Sequence, residues 1–467
     1  MAKKESEVVS GDNLSEVKLD RPVGLLGAIS LVIGGVIGMG IYALIASVGA
    51  HAGNAMWLAF TTALLISVIG VIPIIQIASA LPRAGAGYLY ASRLLHPLVG
   101  LVTSWWVVFA VANTLTFVSM GMADYIAKTF NIVDPGMVLA LTLMFPVLFY
   151  FLYFLGVRLA ILIQIILVAL LIVALLAYGI VGTMEVGLKF STFLPQGIGG
   201  FIMATVLCYT AFFGFQVIAE MGEEMKNAKR NIPLSLFIGG VSILVIYIIV
   251  GTVFITSVEY DFEAIKAIKA PLMESGKAFL PYFWVLMLGL GAIAAGLTSF
   301  NGGGIAIPRE LFSQARDGII PAFIGRIQKR SGSPMIAMAI LFVLVIIMIL
   351  MRWDIDFYGA VTAVGILLMT AMISIAALRL PKKYPKAYKN AYLRIPKLLL
   401  WIIVILSIIS CLGFIALVIS QAPSIGYMYV GVTVVTIVYY FIRKAFLNKR
   451  GVDLSKKMER MPGFDEE

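Results

Sequence analysis

Residues 56–81 read MWLAFTTALLISVIGVIPIIQIASAL and contain no charged side chain. A helix that crosses the hydrocarbon core of a bilayer needs about 20 apolar residues, and it satisfies its own backbone hydrogen bonds there. Residues 161–181 form a second run of this kind. The whole chain is 61% hydrophobic and 13% charged, against about 25% charged residues in soluble domains. The sequence therefore predicts an all-α polytopic membrane protein.

Apolar runs on both sides of residues 56–81 bring the predicted number of membrane helices to twelve. They would form a first five-helix repeat (23–182), a second five-helix repeat (197–378) and a final pair of helices (398–442), between an N-terminal arm (1–22) and a C-terminal tail (443–467). The predicted spans are 23–48, 56–81, 98–127, 135–155, 158–182, 197–222, 234–257, 282–311, 334–351, 355–378, 398–420 and 423–442.

The basic residues are distributed unevenly between the two sides of this predicted topology. Loops and adjoining helix ends on the side of the N-terminus hold 29 of the 35 Lys and Arg residues, and cytoplasmic loops accumulate such residues. We therefore expect a multi-pass protein of the cell membrane with both termini in the cytoplasm. The net charge of +11 lies in loops, so it indicates contact with anionic lipid headgroups rather than with nucleic acid. The polar first 22 residues predict no cleaved signal peptide.

Several functional classes find no support in the motifs. Neither HExxH nor GxSxG occurs, so an enzyme is not expected. Two cysteines inside apolar runs (Cys208, Cys411) and two histidines (His51, His96) predict neither a disulfide nor a metal site. No filter motif or ring of charge indicates a channel. The loop 258–281 has apolar residues at helical spacing, which predicts a short amphipathic helix that packs on the outer mouth or acts as a lid.

Two predicted spans carry residues that interrupt helices. The first contains GGVIGMG at 34–40, and each glycine inside a helix costs about 1 kcal/mol relative to alanine. The spacing of Gly34 and Gly38 is also typical of close helix packing, but packing needs only one such pair, so we expect a break. The sixth span carries Gly214 and Gln216 in mid-membrane. Interrupted helices at corresponding places of two oppositely inserted repeats indicate a transporter binding site.

A break in a helix exposes backbone groups that have lost their helical partners. The N-terminus of a half-helix presents free N–H groups and the positive end of a dipole, which favour a carboxylate. Exposed carbonyls at the facing helix ends favour an ammonium group or a cation. A zwitterionic amino acid carries both charges, so it is the expected small-molecule ligand.

Five segments, in order along the chain, resemble the amino-acid–polyamine–organocation permeases. They are GVIGMGIY at 35–42; LPRAGAGY at 81–88 with Tyr90 and HPL at 96–98; GFQ at 214–216 with EEMKNAKRNIP at 223–233; TSFNG at 298–302 with ARDG at 315–318 and Pro321; and YPK through RIP at 384–396. The family usually has Pro at the position of Ala228 and often Ser at that of Met39. The resemblance implies a LeuT-like fold, an inverted five-plus-five repeat with broken helices 1 and 6.

The resemblance also implies where the substrate binds. The backbone amides after the first break would hold the carboxylate, carbonyls at the helix ends would hold the ammonium group, and neighbouring residues would line the substrate side chain. The amides that would hold the carboxylate are those of Met39, Gly40 and Ile41, and the carbonyls that would hold the ammonium group are those of Val36, Thr210 and Phe213. Ala211, Phe212 and Gly214 would line the substrate side chain, and Gly38 lies at the break itself. Many members have a gating aromatic residue at the position of Thr210, so Tyr209 or Phe212 is expected to take that role.

The resemblance suggests a sodium site as well. Sodium-coupled relatives of the fold bind the cation between helices 1 and 8, and the matching oxygen atoms belong to Gly34, Ile37, Ala295, Thr298 and Ser299. Oxygen ligands of this kind suit a hard cation such as Na⁺. Alternatively, the two hydroxyls bond back to their own helix, as Ser and Thr commonly do.

A proton is the alternative coupling ion, and no other cofactor is expected. Some proton-coupled relatives have Lys at the position of Leu171, which argues against that mechanism here, whereas Glu220 is an intramembrane carboxylate suited to proton relay. Small and aromatic residues at the second break favour a neutral amino acid. A cationic amino acid, a polyamine or another organic amine, carried by exchange or uniport, stays open as the alternative. The oligomeric state also stays open.

Overall fold

The protein is helical throughout the part of the chain that the structure describes. Within that part there is no β-strand, only isolated bridges that join Val23 to Met225 and Gly53 to Phe193. The computed structural model describes residues 23–82, 86–153, 157–187, 193–212, 215, 225–328, 332–449 and 451.

Eighteen α-helices are described along the chain. They are α1 (Leu25–Val36), α2 (Met39–Ala52), α3 (Met56–Ala80), α4 (Ala86–Leu94), α5 (Pro97–Thr129), α6 (Pro135–Leu152), α7 (Val157–Glu185), α8 (Gly197–Ala211), α9 (Ala228–Ser257), α10 (Phe262–Lys266), α11 (Pro271–Gly276), α12 (Tyr282–Asp317), α13 (Met335–Met351), α14 (Ile355–Ala377), α15 (Leu380–Lys383), α16 (Pro385–Lys389), α17 (Lys397–Gln421) and α18 (Pro423–Asn448). A 3₁₀ turn (Ala322–Gly325) follows α12.

Ten helical stretches among the described residues are long and apolar enough to cross a membrane, with α1 and α2 counted as one stretch. This confirms a polytopic membrane protein. α8 covers residues 197–211 of the predicted span 197–222, and α13 covers nearly all of the predicted span 334–351; both are shorter apolar helices. The count of twelve spans, the inverted repeat and the predicted domain limits stay predictions.

Helices α5 and α12 each pack against several of the other long helices. α5 packs against α12, α13 and α14, and α12 also packs against α1 and α7. In the most apolar stretch of each helix, 67% of the residues are buried in α5, compared with 22% in α17 and in α18. The last two helices therefore lie at the periphery, where their apolar side chains suit contact with lipid.

The segment 258–281 differs from the prediction of one amphipathic helix, because it forms two short helices, α10 and α11. Between them Ala270 has a left-handed backbone with φ 51°. Pro271 begins α11, and a proline disfavours the right-handed helical conformation of the residue before it. Ile265 and Leu272 are nevertheless buried, as their spacing suggested.

Ion pairs connect this segment to the bundle. The Glu274 carboxylate lies 2.7 Å from Nζ of Lys277 and 3.2 Å from Nζ of Lys128 in α5. Burial raises the pKa of Glu274, but hydrogen bonds and charge interactions with the two lysines lower it, and the net pKa is below the ordinary value. The paired carboxylate thus contributes to stability in its ionised form.

Candidate functional site

The first membrane helix is interrupted between α1 and α2, at the glycine cluster. α1 ends at Val36, and Ile37 has φ −76° and ψ 73°, the values of an inverse γ-turn. The N–H of Gly38 closes this turn by donating to the Val36 carbonyl at 2.8 Å. Gly38 is extended, and α2 starts at Met39. The first N–H groups of α2 have no acceptor within their own helix, so the break leaves them for another partner.

The sixth predicted span stops being helical close to its predicted interruption. α8 ends at Ala211, and Phe212 follows it with non-helical backbone angles. Phe213, Gly214 and Glu220 lie outside the described residues. Their predicted roles in ammonium binding, side-chain contact and proton relay stay predictions.

The end of α8 lies directly against the start of α2. A Cβ atom at Gly40 would be 3.1 Å from both Cα and Cβ of Ala211. On another side, a Cβ atom at Gly121 of α5 would be 2.8 Å from Cγ of Met39. Met39 and Ile41 have side chains that are 0% and 1% exposed. The structure thus brings the three predicted carboxylate-binding residues next to the end of α8.

A tyrosine that the sequence analysis missed joins the two helix ends. The Tyr247 hydroxyl, in α9, lies 2.9 Å from the Val36 carbonyl oxygen and 3.3 Å from that of Ala211, and it donates towards both. Its buried ring packs against Phe60 and Phe212, with ring centroids 5.2 and 5.3 Å away. Tyr247 is the only tyrosine of its predicted span, but that span also contains several Ser and Thr residues, so its hydroxyl did not stand out in the sequence.

This tyrosine bears on the predicted ammonium site. The Val36 carbonyl already accepts from the Gly38 N–H and the Tyr247 hydroxyl, and a carbonyl oxygen has two lone pairs. An ammonium group at Val36 therefore has to replace the Tyr247 hydrogen. Thr210 is placed nearby and donates its hydroxyl to the Gly359 carbonyl of α14 at 3.3 Å.

The two residues considered as gates point to different neighbours. Phe212 stacks on Phe215 with centroids 6.2 Å apart and also packs on Tyr247. Tyr209 stacks instead on Phe414 of the peripheral helix α17, with centroids 6.4 Å apart. The geometry favours Phe212 as the aromatic residue beside the break.

The residues predicted for Na⁺ are divided between two helices in contact. They are Gly34 and Ile37 at the end of α1, and Ala295, Thr298 and Ser299 in α12. A Cβ atom at Gly38 would be 2.0 Å from Oγ of Ser299, so the break touches α12 at this point. The Thr298 and Ser299 hydroxyls donate to the Ala295 carbonyl at 2.8 and 2.9 Å. This is the bonding to their own helix that the sequence analysis gave as the alternative. It leaves lone pairs on the two hydroxyl oxygens, whereas a cation at the Ala295 carbonyl has to replace one of the two hydroxyl hydrogens.

A buried network of charged and polar groups joins α4 to the C-terminal part of α12. The Arg93 guanidinium donates to both carboxylate oxygens of Asp317, at 2.5 and 2.6 Å. The Tyr88 hydroxyl donates to Asp317 at 2.7 Å. Glu310 accepts from the Tyr88 backbone N–H at 3.0 Å and from the Ser104 hydroxyl at 2.7 Å. These bonds fix one end of α12 against α4 and α5.

An interrupted helix that meets the end of another inside a polytopic bundle is typical of membrane transporters. The family model described as amino acid permease matches residues 23–442. The chain belongs to this amino acid permease family, as the five sequence motifs indicated. The family and the similar proteins are transporters rather than enzymes.

Similar proteins have low sequence identity to this chain. It is 26% identical over 353 residues to cationic amino acid transporter 4, vacuolar, of Arabidopsis thaliana, a match covering 69% of this chain and 58% of the relative. It is 23% identical over 398 residues to the branched-chain amino acid permease BcaP of Bacillus subtilis, covering 79% and 83%. It is 24% identical over 343 residues to the human Asc-type amino acid transporter 1, covering 69% and 64%. The chain spans little more than half the length of the plant transporters it matches, 58% and 53%.

Proposed function

We propose that this protein is a secondary active transporter that carries amino acids across the cell membrane by alternating access. The observation that carries the proposal is the interrupted first helix, whose free N–H groups lie beside the end of α8. The names of similar proteins, which include cationic, branched-chain and Asc-type transporters, support amino acids as the substrate class.

In this proposal the backbone holds both charges of the substrate. The carboxylate accepts from the amides of Met39, Gly40 and Ile41, where the dipole of α2 adds its positive end. The ammonium group donates to carbonyls at the ends of α1 and α8. It displaces the Tyr247 hydrogen from Val36, and the hydroxyl oxygen then accepts from the ammonium, since a hydroxyl both donates and accepts.

A neutral amino acid is the favoured substrate. Among the described residues that touch the two helix ends, Ala211, Phe212 and Tyr247 carry no charge that would pair with a cationic side chain. The second candidate is a cationic amino acid or another organic amine, carried by exchange or uniport. The names of the similar plant proteins favour it.

The proposed architecture is twelve helices in an inverted five-plus-five arrangement, with both termini in the cytoplasm. Under this orientation the Arg93–Asp317 network lies on the cytoplasmic side and helps to close it. The segment 258–281 lies on the external side. The basic residues concentrated in loops on the side of the N-terminus support the orientation.

Sodium is the favoured coupling ion. It would bind where the break touches α12, among the oxygen atoms of Gly34, Ile37, Ala295, Thr298 and Ser299. The contact between Gly38 and Ser299 supports this position. A proton relayed through Glu220 is the alternative.

Uptake by purified protein in liposomes tests the proposal. Labelled leucine, alanine and lysine are supplied with an inward Na⁺ gradient, with K⁺ in place of Na⁺, or with a proton gradient. We expect saturable uptake of a neutral amino acid that the Na⁺ gradient increases, together with counterflow, which a channel does not give. Uptake of lysine alone would favour the second candidate, and no uptake or binding of any amino acid would refute the proposal.

A further inference from the structure

A cavity with a volume of about 340 Å³ lies between the middle of α2 and the segment 258–281. Gly121 of α5 is part of its lining, and this glycine also touches the side chain of Met39 at the helix break. Residues 266–271 form the facing wall. The cavity, here called the vestibule, therefore lies next to the proposed central site, and its size is within the range of small-molecule pockets.

Three carboxylates line the vestibule, and the protein leaves much of their acceptor capacity unused. Asp354 is the N-cap residue of α14. An Asp at this position usually accepts a hydrogen bond from the first turn of the helix, but the Asp354 side chain makes no such bond. Both oxygens of Asp356 lie 3.0 Å from one hydroxyl, that of Ser47. A hydroxyl donates one hydrogen, whereas a carboxylate accepts about four.

Two lysines on the facing wall neutralise these carboxylates only in part. Nζ of Lys269 is 3.5 Å from the third carboxylate, Asp124, longer than the roughly 2.7–2.9 Å of a strong charge-assisted bond. The Lys269 side chain is 73% exposed, so it is free to move aside. Lys266 also lines the vestibule and is exposed. The vestibule thus has carboxylates that can accept from a cation on α5 and at the start of α14, and exposed lysine side chains on the facing segment 266–271.

We propose that the vestibule is a second amino-acid-binding site that receives the substrate before the central site. Asp124 and Asp356 hold the ammonium group, and Lys266 or Lys269 attracts the carboxylate. A substrate with a further positive charge also engages Asp354. This inference rests on the proposed function and adds to it that a cationic amino acid binds the vestibule more tightly than a neutral one.

Because the vestibule precedes the helix break, its charges act on capture and not on the rate of the conformational change. Clefts lined by one sign of charge raise the local concentration of the oppositely charged ligand. Removing one carboxylate removes an interaction worth about a five-fold change in affinity when two unit charges are about 4 Å apart in water. The effect is expected in KM, and kcat should stay within about two-fold.

The first test reads the vestibule without transport. Both native cysteines are buried, so Ala267→Cys supplies one reactive thiol at the vestibule wall, and Ala264→Cys on α10, which does not line it, is the control. A cationic ethylammonium methanethiosulfonate should modify Ala267→Cys faster than its anionic ethylsulfonate analogue. Asp356→Asn should lower this ratio about five-fold, Lys269→Gln should raise it, and free lysine should protect the thiol more strongly than alanine.

Uptake kinetics form the second test. Asp356→Asn should raise KM about five-fold for a neutral substrate and more for lysine, whereas Glu263→Gln, an exposed change on the same segment outside the vestibule, should leave KM unchanged. The vestibule site would be overturned if Asp356→Asn left the modification ratio of Ala267→Cys unchanged and no amino acid protected the thiol. It would also be overturned if Asp356→Asn lowered kcat and left KM unchanged. Protection at the vestibule in a protein that transports no amino acid would instead refute the proposed function and leave the vestibule site standing.

Discussion

A side chain added at Gly40 tests the site at its tightest point. The Cβ atom of an alanine there would lie 3.1 Å from Cα and Cβ of Ala211, whereas carbon atoms in favourable contact are about 3.5–4.0 Å apart. α2 and α8 would have to separate by several tenths of an ångström, and overpacking of this kind costs about 1–3 kcal/mol. The better helix propensity of alanine returns at most about 1 kcal/mol.

Gly40→Leu adds three more carbon atoms beside the free amides of α2. We expect Gly40→Ala to keep measurable uptake and Gly40→Leu to lose it, because the larger side chain fills the space that the substrate carboxylate needs. Initial uptake rates in liposomes, normalised to the amount of folded protein, give the measurement, and thermal unfolding separates a blocked site from a collapsed fold.

Two glycines of the peripheral helices provide matched controls. A Cβ atom at Gly413 of α17 or at Gly431 of α18 meets no atom within 4 Å. Gly413→Leu and Gly431→Leu should therefore transport like the wild type. If Gly40→Leu transported at the wild-type rate, the amides of α2 would not be the carboxylate site.

Three further predictions concern other parts of the bundle. Tyr247→Phe should lose about 0.5–1.5 kcal/mol of stability and raise KM about two- to ten-fold. Tyr178→Phe, which removes a buried hydroxyl bond to Ser275 of α11, should lose similar stability at constant KM. Equal KM values in all three proteins would contradict the role of Tyr247. Arg93→Ala should lower the free energy of unfolding by about 3–5 kcal/mol, measured with denaturant, because it leaves the Asp317 carboxylate buried without its partner. The double variant Arg93→Ala with Asp317→Ala should recover part of this loss. Because the pKa of Glu274 is lowered in the folded protein, its stabilisation is fully present above the unfolded carboxyl pKa of about 4.3 and is lost as the pH falls through the lower folded pKa. Glu274→Gln should thus unfold at a lower temperature than the wild type at pH 7, and this difference should shrink as the pH is lowered below about 4.3.

Local patterns in the sequence were sufficient for the class of protein and for the first break. Long apolar runs indicate membrane helices directly. The glycine cluster at 34–40 destabilises a helix at its own positions, so the turn at Ile37 and Gly38 was predictable. Hydropathy was less accurate for helix ends. α9 starts at Ala228 rather than at 234, because its first turns are polar and the apolar pattern marks the membrane, not the helix.

Contacts between distant segments were not predictable in the same way. Tyr247 is 211 residues from Val36, and Arg93 is 224 residues from Asp317, so a single sequence carries no signal of either pairing. The segment 258–281 did carry a usable signal in Pro271, but the apolar spacing suggested one continuous helix. Side-chain partners depend on how the helices pack, whereas helix interruption depends on the residues at the break.

The structure of the purified protein with a transported amino acid bound is the most direct measurement. We predict that the carboxylate oxygens lie at hydrogen-bond distance, about 2.7–3.2 Å, from the amide nitrogens of Met39, Gly40 and Ile41, with the ammonium group beside the Val36 carbonyl and the Tyr247 hydroxyl. An amino acid bound away from these amides, or an α-helix running unbroken through Gly38, would contradict the account.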